Sequence, residues 1–262
     1  MMDQVHLIDS LPLWAAYLLT IGLGILAVEL GFHLGKYWKV RHPEEQESHI
    51  GEMLAATLAL WAFLLAFLVG IATNRYDTRR ALLVDEANAI GTTYLRAGYL
   101  PEPYANQSRD LLREYASERL KLVELETHAA ARIRSEEIQP QLWAIAQELA
   151  ATQPANLILA LYVDSLNQTI NLHTERLTAM SIARIPITIY FGMYLVAMLG
   201  LLMLGFQSGI NGTLDLIVAL ILILIFSSVM ILIIDLDRSW GGLLRVSQQP
   251  MRDLISSFAN FK

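Results

Sequence analysis

Four apolar stretches, each long enough to cross a bilayer, constrain this chain more than anything else in it. A hydrocarbon core about 30 Å thick takes roughly 20 apolar residues in helical form. No water is available there to the backbone, so each stretch must pair its own N–H and C=O groups, and the α-helix does that. The stretches lie at about residues 12–34, 53–73, 186–206 and 214–234. The first opens with Pro12 and Trp14 and closes with Lys36, Tyr37, Trp38 and Lys39, side chains that suit the lipid–water interface. The third opens near Pro186, a proline placed for a first helical turn. A short link from Gln207 to Thr213, carrying Gly209, Asn211 and Gly212, joins the third stretch to the fourth, and a polar loop with Glu44, Glu45 and Glu47 joins the first to the second. Each pair therefore reads as an antiparallel hairpin. The N-terminus, Met1-Met2-Asp3-Gln4, lacks the basic start of a cleavable signal, so the first stretch is expected to be a retained span.

Residues 75–185 are different in kind, holding most of the charge while their apolar positions recur at helical spacing. Leu83, Ala87, Ile90, Tyr94 and Ala97 form one series, which Pro101 and Pro103 end. Leu112, Ala116, Leu120, Val123, Thr127 and Ala130 form a second, and a third helix is expected from about Ser135 into Thr152. The clearest series is the last: Leu159, Val163, Leu166, Ile170, His173, Leu177 and Met180 keep heptad spacing, with His173 as the polar member. No strand signal interrupts these patterns, and nothing between Asn74 and Leu83 breaks a helix leaving the second span. The expected fold is all-α: a polytopic membrane protein whose two hairpins flank an inserted helical domain. Its divisions are hairpin one over 1–74, the domain over 75–185, hairpin two over 186–234 and a C-terminal segment over 235–262. Arg75, Arg79, Arg80, Arg176, Arg184, Arg238, Arg245 and Arg252 lie on the side of the domain and both termini, against Lys36, Lys39 and Arg41 on the other. The excess places the domain and both termini in the cytoplasm.

Composition narrows the function classes. The apolar share is 55% and mean hydropathy +0.43, high for a soluble chain, and the net charge of -6 offers no basic stripe for nucleic acid. Cysteine is absent, which removes disulfides, thiolate metal sites and cysteine nucleophiles together. The sequence contains no phosphate-binding Gly-x-x-x-x-Gly-Lys loop, no His-Glu-x-x-His pair and no Gly-x-Ser-x-Gly elbow. No cofactor or resident metal is expected, and no enzyme.

Three stretches carry a family resemblance: residues 75–80 (Arg-Tyr-Asp-Thr-Arg-Arg), residues 85–97 (Asp-Glu-Ala-Asn-Ala-Ile-Gly-Thr-Thr-Tyr-Leu-Arg-Ala), and Asp235-Leu236-Asp237-Arg238 running on to residues 245–250 (Arg-Val-Ser-Gln-Gln-Pro). Together they resemble the bacterial bestrophin-like domain family, four-span membrane proteins, over nearly the whole chain. Bestrophins proper are pentameric ion channels, anion-selective in animals, with the second span lining the pore above a cytosolic helical funnel. The resemblance implies a homo-oligomeric, pentameric channel or channel-like protein of a bacterial inner membrane. Its partners would be the lipid bilayer, its own copies and inorganic ions. One departure is visible: animal bestrophins carry a dense acidic calcium clasp after the last span, where this chain has only Asp235 and Asp237 followed by Arg238.

On that resemblance the pore-lining candidates are Ala59, Phe63, Phe67, Ile71 and Asn74, which share one face of span two. Repeated around an axis they would form apolar rings of the kind that gate by dewetting. The competing reading is ordinary helix or lipid packing, with Thr57, Trp61 and Leu68 as alternative inward residues. Glu29 and His33, four apart in span one, form an intramembrane polar pair. A carboxylate at mid-membrane costs roughly 2.5–3.5 kcal/mol on insertion scales, so such groups are paired or serve an ion pathway. Asp85, Glu86, Asn88 and Arg96 beyond span two, with Asp235, Asp237 and Arg238 after span four, are candidates for ion pairs fixing the domain, or for a vestibule that concentrates counter-ions. A non-conducting scaffold, whose heptad helix docks a partner, and a small transporter built on Glu29 and His33 are the rival functions.

Overall fold

The structure, a computed structural model, describes residues 11–42, 49–124, 126–153, 156–181, 184–239 and 242–260. The loop carrying Glu44, Glu45 and Glu47 lies outside the described residues. The described residues form eight helices: α1 (Leu13–Arg41), α2 (Ile50–Ala97), α3 (Tyr104–Lys121), α4 (His128–Thr152), α5 (Leu157–Ser181), α6 (Ile187–Asn211), α7 (Leu216–Asp237) and α8 (Gln249–Ser257). No strand occurs among the described residues. Helices α1, α2, α6 and α7 are long and apolar enough to cross a membrane. The second of these continues without a break from its apolar part to Ala97, since no proline or glycine interrupts residues 71–90. The chain divides into two compact units, 1–74 with 185–238, and 75–184 with 239–262.

In the first unit α1 and α6 run parallel, because Gly24 faces Leu201, Gly31 faces Leu202 and Phe206, and Gly35 faces Phe206 and Gly209. The seam is glycine on both sides. A methyl on Gly31 would overlap the Leu202 carbonyl, and one on Gly205 would overlap the Val28 carbonyl. Inside a bilayer two helices gain little by hiding apolar side chains from lipid, so close backbone packing supplies the association, and Gly31-x-x-x-Gly35 against Gly205-x-x-x-Gly209 allows it. Against this pair α7 adds Ala219 and Ile223, closing a cluster with Ala27, Val28 and Leu201. Residues 50–74 of α2 join through Trp61, whose ring lies 4.8 Å from Phe226, itself 5.7 Å from Tyr194. The Tyr194 hydroxyl in turn meets Thr20 Oγ1 at 2.8 Å. The α6–α7 link closes on Gly212, left-handed at φ 80°, whose N–H reaches the Ser208 carbonyl.

The second unit is a helical domain around Leu83, Ile90, Tyr94, Leu112, Tyr115, Ile138, Leu142, Tyr162 and Leu166. Three of its details differ from the sequence patterns. The second apolar series does not stay helical to Ala130: α3 ends at Lys121, where the Thr127 hydroxyl donates to the Lys121 carbonyl at 2.9 Å and turns the chain. Helix α4 then begins at His128, seven residues before Ser135, because Ala129, Ala130 and Ala131 are strong helix formers, and it carries Pro140 internally. On α5 the buried face is rotated from the heptad series toward Tyr162, Ser165, Thr169, Leu172 and Arg176. Ser165 and Thr169 tolerate this by donating to their own helix carbonyls, Tyr162 O and Ser165 O. The C-terminal segment forms α8, which seats Met251 in the core and stacks Phe258 on Tyr94 at 4.3 Å.

Replacing Gly31 or Gly205 with alanine forces the α1–α6 seam apart and is expected to cost about 1–3 kcal/mol, the usual range for overpacking. Gly22→Ala, where an added methyl meets nothing within 4 Å, is the control. Thermal unfolding in detergent checks this: both seam variants melt lower, and the control melts with wild type.

Candidate functional site

Two places in the chain carry features that packing alone does not explain. The first is the outer face of α2 within the first unit. Trp61, Leu65, Leu68 and Ala72 are buried against the bundle, so the alternative inward set of Thr57, Trp61 and Leu68 is the side that faces α6 and α7. On the opposite side Ala59, Phe63, Phe67 and Asn74 are exposed, with Ile71 at the margin; Phe63 is 68% and Phe67 65% exposed. Between and beside the two phenylalanines the exposed residues are Ala55, Ala56, Ala62, Ala66 and Gly70, with Leu60 the one large aliphatic side chain among them. The outer side of α7 is different: Leu216, Ile217, Leu220, Ile221, Leu224 and Ile225 are all exposed there. Glu29 and His33 lie inside α1, which continues past them to Arg41, and both are on its exposed side. Asp235, Asp237 and Arg238, at the end of α7, are buried. Asp237 Oδ1 accepts from the Ile185 N–H at 3.1 Å, and Arg238 Nη2 donates to the Leu11 carbonyl at 2.6 Å.

The second place is the centre of the helical domain. Glu86, on α2, is fully buried and takes two guanidinium groups: Arg119 Nε donates to Oε1 at 2.6 Å, and Arg176 Nη1 donates to Oε2 at 2.5 Å. Arg176 Nη2 also donates to Gln248 Oε1 at 3.1 Å, and Gln248 Nε2 donates to the Val246 carbonyl at 3.0 Å. One carboxylate thus ties α2 to α3 and α5, and through Arg176 and Gln248 it holds the stretch before α8. Burial on its own pushes the Glu86 carboxyl up, but the charges of Arg119 and Arg176 outweigh it and hold the group below the usual carboxylate range. Beside the trio the Tyr115 hydroxyl meets His173 Nδ1 at 3.1 Å. Burial and the charge of Arg119 push the imidazole down to about 3, so His173 is neutral. Burial likewise raises the Tyr115 phenol.

Of the remaining candidates, Arg96 donates to the Leu161 carbonyl and pairs with Asp164 at 3.4 Å, while Asp85 and Asn88 are exposed. The trio itself was not apparent from sequence patterns, although a signal existed. Glu86 lies three residues after Leu83 and four before Ile90, inside the apolar stripe of α2, and Arg119 lies three after Ala116 on that of α3. A charge on a core-facing stripe demands a partner on another core-facing stripe. Two of the stretches that carry the family resemblance, 85–97 and 245–250, meet here, on Arg176.

The family model for the bestrophin-like domain matches residues 22–251. Among solved structures, a bacterial bestrophin homologue from Klebsiella pneumoniae is similar at TM-score 0.66 and 14% identity, covering 93% of this chain and 95% of that one. A point variant of a Klebsiella pneumoniae homologue gives TM-score 0.68 at 12% identity, covering 94% and 97%. A crystal structure described only as a membrane protein variant gives 0.69 at 14% identity over 95% and 97%. No curated protein matches by sequence.

Two outcomes follow from the buried trio. Glu86→Gln leaves two buried guanidiniums without a counter-charge and is expected to cost about 3–5 kcal/mol, read as a lower unfolding midpoint or loss of folded protein. His173 binds a proton near 6.5 when unfolded and near 3 when folded, so the unfolded state holds more protons between those values. Its contribution is complete above pH 6.5 and is lost as pH falls. Over pH 6.5 to 4.5, above the carboxylate's own range, wild type should lose stability by on the order of 1 kcal/mol per pH unit. In His173→Gln, which keeps a hydrogen-bonding group, that slope flattens; unfolding midpoints across the window measure it.

Proposed function

This chain belongs to the bestrophin-like domain family, and from that membership we propose that it is a homo-oligomeric ion channel whose α2 lines the pore. The observation that carries the reading is the outer face of α2. Between Ala55 and Gly70, Phe63 and Phe67 stand out from the protomer among exposed residues that, apart from Leu60, are alanine and glycine. Small residues let a neighbouring helix approach closely, and the large aliphatic surface of α7 is what a lipid-facing helix presents. A copy packed beside this face would cover the alanines and leave the phenylalanines turned toward a common axis. Rings of Phe63 and Phe67, with Ala59 above or below them and Asn74 at the polar end, make an apolar constriction that passes ions only when wetted. The number of copies is five, by likeness to bestrophins.

The helical domain serves as a vestibule, with Asp85 and Asn88 exposed to the ions that traverse it. The arginine distribution around the spans supports a cytoplasmic domain and cytoplasmic termini in a bacterial inner membrane. The scaffold reading is weaker, because the helix proposed to dock a partner spends Leu159, Leu166, His173 and Met180 inside its own domain. The transporter reading keeps only the exposed Glu29–His33 pair in its favour.

Ion flux from proteoliposomes tests the reading. Wild type is expected to conduct, and Phe67→Ala, which removes the ring, to raise the rate several-fold or change selectivity. Chemical cross-linking of detergent-solubilised protein should give a closed ring of copies. A monomer, or no flux from either protein over a range of pH and calcium, overturns the channel.

A further inference from the structure

We propose that the core of the helical domain is also a binding site for one small anion of halide size, held by the guanidinium edge of Arg119. The proposal is independent of conduction, since nothing in it requires the α2 pore.

Formal charge is the starting point. Arg119 and Arg176 bring two positive charges and Glu86 one negative, while the neighbouring His173 is neutral and Tyr115 stays protonated. The buried cluster therefore carries one uncompensated positive charge. Both carboxylate oxygens are already engaged, Oε1 by Arg119 Nε and Oε2 by Arg176 Nη1, so Glu86 has no oxygen aimed at the rest of the Arg119 fork. Arg119 is 0% exposed, yet its Nη1 and Nη2 meet no acceptor. Arg176 is in a different position, with a carboxylate on one terminal nitrogen and an amide oxygen on the other.

A guanidinium cannot shed its proton to escape this cost, because its acidity is too low for any physiological pH. Buried donors without acceptors are expensive, and a buried charge without a partner more so. An anion satisfies both demands at once: it accepts from Nη1 and Nη2, and it brings the cluster to neutrality. The enclosure selects for size. Arg119 is fully buried among α2, α3 and α5, with the Tyr115 ring 6.0 Å from its guanidinium carbon, so the occupant proposed is a halide rather than a phosphate or a carboxylate-bearing metabolite. The bound anion would lock α3 onto α2 and α5, adding to domain stability.

The test uses the full chain in detergent, unfolded thermally in sodium bromide and in sodium gluconate at equal ionic strength. Halide is expected to raise the midpoint by about 3 °C or more, as ligand binding to the folded state alone does. Arg119→Lys keeps a charge for Glu86 while removing both terminal nitrogens, and should abolish the difference between the salts. Crystals of the wild type grown in bromide should show an anomalous peak within hydrogen-bonding distance of Arg119 Nη1 and Nη2. Equal midpoints in the two salts, or a halide effect that survives Arg119→Lys, overturn the proposal, as does bromide-soaked density showing only water at Arg119. Should Arg119→Lys fail to fold, the anomalous map from wild type decides alone.

Discussion

A carboxylate taken wholly out of water is tolerable only if counter-charges reach both of its oxygens, and the helical domain is arranged around that requirement. Glu86 has one partner on α3 and one on α5, so three helices that are far apart in sequence are pinned at a single point. Apolar contacts among Leu83, Ile90, Leu112 and Leu166 supply most of the burial, but such contacts are forgiving of a turn's slip along a helix. The charge pairs are not, because a slip strands all three groups. This gives a physical reason for the kinship between two of the family's sequence stretches: Glu86 from one and Gln248 from the other take the same side chain, Arg176. Their shared chemistry is positional within the domain and does not by itself touch an ion on its way through a membrane.

The membrane-spanning unit solves a different problem with different means. Charge pairs are costly in lipid and apolar side chains are interchangeable with it, so neither can fix one helix against another. Glycine can, by letting backbones meet. Gly31 and Gly35 on α1 and Gly205 and Gly209 on α6 give a seam in which no side chain could be enlarged without moving a backbone. Lys39, at the end of α1, donates to the Ile210 carbonyl and thereby caps the C-terminus of α6, which anchors the polar end of the same seam. The parallel course of these two helices follows from the two hairpins, since spans one and three must cross in the same sense.

How much of this was legible beforehand depended on what kind of signal each feature leaves. The spans announce themselves through length and hydropathy alone, and the apolar stripe of Leu83, Ile90, Tyr94 and Ala97 through its period. Features set by a single hydrogen bond leave almost no trace: the end of α3 at Lys121 depends on the Thr127 hydroxyl, and the rotation of α5 depends on Ser165 and Thr169 turning their hydroxyls back on their own helix. Periodicity also averages over charge, so it does not bring Glu86 and Arg119 together, although the telling fact is their position within the apolar stripes. For the α2 face the sequence shows which residues share a side, but the covering partner would come from another copy of the chain, and no pattern within one chain describes that.

The contrast between the outer faces of α2 and α7 bears on this last point. Both are apolar, so hydropathy ranks them together, and only the shape of the side chains separates them. Leucine and isoleucine on α7 offer a rough, branched surface that acyl chains fill without loss. Alanine and glycine on α2 offer a smooth one, which lipid fills poorly because an acyl chain cannot approach a backbone as closely as another helix can. Two exposed phenylalanines on such a surface would be a packing defect if a neighbouring helix had to lie directly over them. They are accommodated if neighbours lie to either side and the rings project into the space left between copies. A bundle of helices around an axis has that geometry, and the same residues that would disrupt a close-packed pair then become the narrowest part of a passage.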